Sequence, residues 1–533
     1  MPLKLLFISG LPIVLLIGIA AAFLPKPRKS SDRLIAVVVP ILLYLTVITC
    51  VAHLFLYWDP GWDASRLLPS VAFHRGLNVY STNTQGAVQT TMYPPGWVIA
   101  FLPAALASSP TGVILAGYGL AQALTVLPML VFLVAVAGRT MAAWAAFAIF
   151  VFALTRIEPL VVAFRPHADA PGLGFGLTAC CLLWGAAKSG HDRPGLLLLS
   201  TVAAWFSIWS KQVMAPIIPT MALWLLVATG FRPFRRFCGY AIVTGAAVAA
   251  AFFSIFPIEG IVFNVLRIPG RCPWQGRTPW NLLQAAHELL GFGWVLIIPL
   301  TAAAIFEPDP APNESRLRKL AANVWALPAL AGLVLSTTSI LGRAKVGGWP
   351  NTLSPALYFL TAATCLLIAD PGFRWGPLCD VIAQRKKFAR LLVSVSVVIA
   401  ALWSLQLLNT LDWMKGMVLK NNAAQRAYDY LKNNGVRDVY FPTMPLAHLM
   451  AEGEVFHFAF AVYDREVLAR FPMSPEQRRR YFPENPRLVC WNDPGWGTEY
   501  VQTTYFSSYT ETVRVDDLPD FRCTSRPKAL KPS

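Results

Sequence analysis

The sequence predicts an all-α polytopic membrane protein with about 12 transmembrane helices and a small α/β domain at its C-terminal end. Three observations predict this. The 533 residues are 56% hydrophobic and only 14% charged, with mean hydropathy +0.51, whereas soluble domains carry about 25% charged residues. Apolar runs recur at lengths near the roughly 17–25 residues that a bilayer requires. The basic loops between those runs fall on one side when the runs are counted.

The spans read at about 3–23, 34–57, 111–137, 140–155, 171–188, 195–210, 212–230, 237–257, 291–306, 321–341, 351–369 and 391–410. The run WVIAFLPAALASS (97–109) is shorter and carries Pro103. Its length suits an interfacial or re-entrant helix. With that reading, KPRKSSDR (26–33), Arg139, KSGHDR (188–193), FRPFRR (231–236), ESRLRK (314–319) and AQRKKFAR (383–390) share one side. The positive-inside rule makes that side cytoplasmic. An even span number then puts both termini outside. The expected location is the plasma membrane, the inner membrane of a bacterium.

The outer face receives 58–110, 156–170, 258–290, 342–350 and the tail from about 411. Runs such as RDVYFP (437–442) and PRLVCW (486–491), separated by Pro, Gly and Asn, read as strands of a mixed α/β domain. The organisation is 1–33, an anchor and basic loop; 34–410, the membrane domain; and 411–533, the outer domain. The net charge of +17 lies almost wholly in the membrane half, because the tail is nearly balanced. That reflects loop topology rather than nucleic-acid binding. The nine cysteines contain no CxxC pair and give no metal or redox motif. A disulfide between Cys490 and Cys523 of the tail is possible, although their spacing does not by itself support one.

Acidic residues on the outer face reduce to Asp59, Asp63, Glu158, Asp169, Glu259 and Glu288. Carboxylates beside a bilayer are costly and often functional. The same face carries Arg66, Arg75, Arg165, Lys211, Arg343 and Lys345, against the positive-inside bias. An anionic ligand would account for them, since phosphate is met by Arg forks and Lys point charges. The stretch 63–75, DASRLLPSVAFHR, has helical spacing at Leu67, Val71 and Ala72. Asp63 near its start is either a plain N-terminal helix Asp or a catalytic base. Asp169 precedes Pro171 and reads as a helix-opening Asp or a second functional carboxylate. Lys211 reads as a snorkelling lysine or a phosphate contact. Arg343 and Lys345 flank a Gly-rich loop, which suits close approach to a phosphate.

An outer-loop Asp, then R…RGLNVY (66–80) and YPPG (93–96) before a short apolar helix, resembles the GT-C glycosyltransferases. RPHADAPGLGF (165–175), SKQVMAP (210–216) and GRAKVGGWPN (342–351) resemble three further outer motifs of that family. The resemblance spans about 34–410. It implies transfer of a sugar from a polyprenyl-phosphate donor to a glycan, lipid or protein acceptor, by an inverting reaction with an outer-loop Asp as base. Asp63 is the favoured base, from its distance to Arg75-Gly76, with Asp59 the rival and Asp169 a second carboxylate. Lys211, Arg343, Lys345 and Arg165 would meet the donor phosphate. Arg66, Arg75, Tyr93, His167 and Asn351 would shape the substrate loops. Where many members carry Asp-Glu, Ala64 follows Asp63, which weakens the case for a divalent metal, although one is possible. The alternatives are a transporter or lipid flippase, a ligase or polymerase of lipid-linked glycans, and a non-catalytic assembly partner.

Overall fold

The computed structural model describes residues 60–370 and 423–527, apart from 83, 139, 163–164, 190–192, 277, 306–314, 435–437 and 493–495. The spans expected at 3–23, 34–57 and 391–410, and Asp59, lie outside the described residues. The chain opens on α1 (Pro60–His74), which buries Leu67, Leu68, Val71 and Ala72. The spacing of these residues puts them on one helical face. Gly76, at φ +76°, turns the chain out of the helix. Tyr93-Pro94-Pro95 then leads into α2 (Gly96–Ala100) and a 3-10 turn, Leu102–Leu106. Gly96 lies against the end of a later helix, where a Cβ would meet the Trp209 backbone at 2.7 Å. Ser70 donates to Val98 O at 2.9 Å and ties α1 to α2. The 97–109 run is therefore a five-residue helix followed by a 3-10 turn, too short to cross a bilayer.

The bundle follows as α3 (Pro110–Ala137), α4 (Met141–Arg156), α5 (Asp169–Lys188), α6 (Pro194–Ser210), α7 (Ile217–Thr229), α8 (Phe231–Ile255), α9 (Thr278–Ile305), α10 (Ala326–Arg343) and α11 (Ser354–Ala369). Among the described residues, seven helices are long and apolar enough to cross a membrane, and two shorter apolar helices join them. Helix α9 begins at Thr278, well before the expected position 291. Asn281, Gln284 and Glu288 lower the local hydropathy, but the backbone stays helical and Gln284 donates to Glu288 at 3.3 Å. Helix α11 is buried on every side, whereas α8 is mostly exposed, as a lipid-facing helix is. Small residues bring α5 close to its neighbours. A Cβ at Gly174 would lie 1.9 Å from Leu124 O on α3, and Ser207 on α6 donates to Gly172 O at 2.6 Å.

The C-terminal domain contains α12 (Ala423–Asn434), α13 (Pro445–Glu452) and a four-stranded sheet. The strands are β1 (Val439–Tyr440), β2 (Leu488–Trp491), β3 (Glu511–Val513) and β4 (Arg522–Ser525), in the order β1-β2-β4-β3. β1 and β2 are parallel, and the other pairs antiparallel. Cys490 and Cys523 stand directly opposite on β2 and β4 and form a disulfide. This is the pairing that spacing left open, because spacing carries no information about strand register.

The domain packs on the polar loop that follows α1. His457, fully buried, accepts the Val88 amide on Nδ1 at 2.8 Å and faces Gln477 O through Nε2 at 3.1 Å. Gln477 Nε2 lies within 3.1 Å of the carbonyls of Thr82, Gln85 and Gly86. Arg75 donates to Leu449 O, and the Trp62 and Phe460 rings meet at 4.7 Å. Burial pushes the His457 imidazole down to about 3, with the nearby Arg465 charge acting in the same direction. Protonation would also remove the acceptor that holds Val88.

Two outcomes are expected. The unfolded chain takes up this proton first, so stability falls as the pH drops below about 6.5. Going from pH 7 to 5 costs about 2 kcal/mol from His457, read as a lower Tm that His457→Ala makes less pH-dependent. The disulfide closes a loop with a sequence separation of 33. Cys490→Ala with Cys523→Ala is expected to lose about 3–4 kcal/mol of domain stability in denaturant unfolding.

Candidate active site

The sequence-predicted residues collect at one end of the bundle, under the C-terminal domain. The alternation of helix direction puts the start of α1, the Tyr93 turn, the 165–169 turn, the α6–α7 junction and the α10–α11 loop at this end. At its centre is Asp169, the first residue of α5 and completely buried. Lys211, which follows α6, places Nζ on its Oδ1. Ser354, at the start of α11, donates to the same oxygen at 2.7 Å, and Asn351 donates to Oδ2 at 3.1 Å. His167 Nδ1 lies against Oδ2 and beside the Asp169 amide. One carboxylate thus meets four side chains, one from its own turn and three from two distant parts of the chain. Such pairing is what makes burial of both charges tolerable.

The second carboxylate, Asp63, lies in the first turn of α1 and is also completely buried. Arg165 reaches its Oδ1 from Nε and from a terminal nitrogen, both at 3.1 Å. Tyr118 of α3 donates to Oδ2 at 2.8 Å. Only three residues separate Arg165 from Asp169, so the turn before α5 serves both carboxylates.

Between them runs the Met92–Tyr93 segment. Gln212, next to Lys211, donates to Met92 O at 3.0 Å. Tyr80 donates to Tyr93 O at 2.7 Å, and the Tyr93 ring meets His167 edge-on at 5.0 Å. Burial lowers the His167 pKa to about 4, and the Arg66 guanidinium pushes the same way. Burial raises the Tyr93 phenol above its ordinary value, and the charges of Asp169 and Asp464 add to this. Arg66 itself stacks over Trp62, with 5.4 Å from Cζ to the ring.

Arg343 and Lys345 are held by the outer loops. Arg343 grips Glu288 of α9 through Nε at 2.8 Å and a terminal nitrogen at 3.0 Å, and donates to Gly348 O at 2.7 Å. Lys345 donates to Pro269 O at 2.8 Å and covers Trp274. Arg75 joins the C-terminal domain. Asp59 lies outside the described residues.

Sequence reasoning missed Tyr118 and Ser354. Tyr118 sits inside a long apolar run, where nothing marks it. Ser354 is three residues after Asn351, a spacing that puts both on one helical face. Among the described residues no three of His, Cys, Asp and Glu converge as metal ligands. In the Asp169–His167 pair the Lys211 ammonium occupies the carboxylate, the place that a metal ion would take.

Removing one partner of this buried pair strands the other. Asp169→Ala leaves Lys211, 3% exposed, without its counter-charge. The expected cost is about 3–5 kcal/mol, read as a lower Tm of the purified protein, with Asp169→Asn plus Lys211→Met recovering part of it.

No family model and no curated protein sequence matches the chain. Solved structures do. The crystal structure of ArnT from Cupriavidus metallidurans bound to undecaprenyl phosphate superimposes with a TM-score of 0.53 over 92% of this chain and 99% of that one, at 14% identity. Its apo state gives 0.51 over 91% and 97%, at 15% identity. The chain has the fold of a GT-C glycosyltransferase, as the sequence resemblance implied.

Proposed function

We propose that the protein is a membrane glycosyltransferase that moves a sugar from a polyprenyl-phosphate donor to an envelope acceptor. One arrangement carries the reading. Two fully buried carboxylates, Asp63 and Asp169, lie at one end of a membrane bundle with Arg165, Lys211 and Arg66 beside them. The related fold that holds undecaprenyl phosphate supports a lipid-phosphate donor here.

Two observations support an extracytoplasmic site. Lys188, Arg232, Arg235, Arg236, Arg316, Arg318 and Lys319 mark the opposite end of the bundle, which the positive-inside rule makes cytoplasmic. The domain over the site carries a disulfide, and disulfides persist in oxidising compartments.

The transfer inverts the anomeric centre in a single displacement. Asp63 takes the proton of the acceptor hydroxyl as that oxygen attacks the anomeric carbon, and the bond to the polyprenyl phosphate breaks. Arg165 and Tyr118 fix the carboxylate, which is the positioning that a base needs. The leaving phosphate gains negative charge, which the Lys211 and Arg66 side of the site offsets. Asp169 holds Lys211 in place and orders the turn that presents Arg165. Arg343 and Lys345 serve by shaping the α10–α11 loop that delivers Asn351. Asp59 remains the rival base.

The test uses membranes with radiolabelled lipid-linked sugar. Asp63→Asn is expected to lower the transfer rate on the order of 100-fold or more, with the protein level unchanged. Full transfer by both Asp63→Asn and Asp59→Asn would overturn the assignment. Labelled lipid crossing the bilayer without sugar transfer would favour a transporter instead.

A further inference from the structure

One carboxyl group beside the site is left unused by this mechanism, and it comes from the C-terminal domain. Asp464 opens a π-helical turn, Asp464–Leu468. Such turns are rare and occur frequently at functional sites. The turn faces a second π-helical segment, Val262–Arg267, of the loop between α8 and α9. Ala469 and Phe471 pack there with Phe263, Ile268, Met92 and Cys272. The Phe471 ring meets Phe263 at 5.0 Å and carries the Arg271 guanidinium at 4.2 Å. Arg465 covers Phe263 at 5.2 Å.

This packing sets Asp464 beside the Met92–Tyr93 segment, where its charge acts on the Tyr93 phenol and the Cys272 thiol. Its neighbours in the turn have evident structural partners. Arg465 donates to Gln477 at 3.1 Å, and Glu466 accepts from Tyr500, Tyr505 and the Met473 amide. Asp464 as a residue keeps some exposure, but its carboxyl is enclosed by protein and has no hydrogen bond or ion pair among the described residues. A carboxyl group held so among apolar side chains is costly unless something pairs with it.

We propose that Asp464 is an acceptor-binding residue, taking a hydrogen bond from a hydroxyl of the acceptor and so making the C-terminal domain part of the acceptor site. The inference rests on the glycosyl-transfer reading and extends it. The turn packs on Met92, in the segment that Gln212 holds next to Lys211 and that brings the Tyr93 ring against His167 of the Asp169 cluster. A hydroxylated acceptor held by this turn meets the donor at Tyr93. Burial raises the Asp464 carboxyl to about 7, so it changes between hydrogen-bond donor and acceptor near neutral pH. Around it, Tyr93 and Cys272 are kept protonated by burial. Arg271 and Lys345 from the outer loops, Arg465 and Glu466 from its own turn, and Arg66 and Asp169 beyond Tyr93 are the other charged groups.

The experiment compares full-length wild type, Asp464→Asn and Asp464→Glu in membrane vesicles. The donor is the lipid-linked sugar pool from cells grown on radiolabelled glucose. The acceptor is envelope membrane from cells lacking the gene, added in increasing amount. Asp464→Asn is expected to need on the order of 10-fold more acceptor membrane for half-maximal transfer, with undecaprenyl phosphate binding unchanged, and Asp464→Glu to recover part of the loss. Unchanged acceptor dependence in Asp464→Asn, or an equal loss of undecaprenyl phosphate binding, overturns the proposal. Absence of transfer by the wild type overturns the glycosyl-transfer reading itself, a result visible before any variant is compared.

Discussion

Four side chains, from the Asp169 turn itself and from two distant segments, meet on the carboxylate of Asp169, and the rest of the site depends on that junction. Lys211 brings in the α6–α7 junction, Asn351 and Ser354 bring in the start of α11, and His167 the turn before α5. A buried charge needs its partners at fixed distances. The junction therefore fixes where three helices begin or end. It also sets Arg165, and through Arg165 the orientation of Asp63.

The C-terminal domain closes this end of the bundle, and the contact is built from backbone groups of the first outer loop. Val88, Thr82, Gln85 and Gly86 have no ladder of their own to pair with, and His457 and Gln477 supply the partners. A polar Gly-, Asn- and Thr-rich stretch beside a membrane is in this way a docking strip. It leads into the short helix at Gly96, where Pro94 and Pro95 restrict the backbone and the missing side chain lets the chain lie against Trp209.

Legibility followed the range of the interaction. Asp63, Asp169, His167, Lys211 and Asn351 stood out because charged or polar residues are rare beside apolar runs. The structure gathers Asp169, His167, Lys211 and Asn351 at one carboxylate, with Asp63 joined through Arg165. Arg343 and Lys345 stood out for the same reason, yet Glu288 and Pro269 occupy them. Charge on an outer loop is visible in a sequence; the partner that occupies it is not. Tyr118 was hidden by its apolar neighbours. Asp464 was hidden by the opposite cause, since a carboxyl in a balanced polar tail is unexceptional until packing isolates it.

The sequence by itself determined the membrane class, the gathering of the polar loops at one end of the bundle and the position of the short helix after Tyr93-Pro94-Pro95. Those follow from hydropathy, run length and proline, which are local properties. The tertiary structure alone decided which charges meet, that Cys490 faces Cys523, and which residues of the outer domain reach the site. Each of those depends on side chains brought together over tens to hundreds of residues. The energy of a buried ion pair is set by distances in space, which no spacing along the chain encodes.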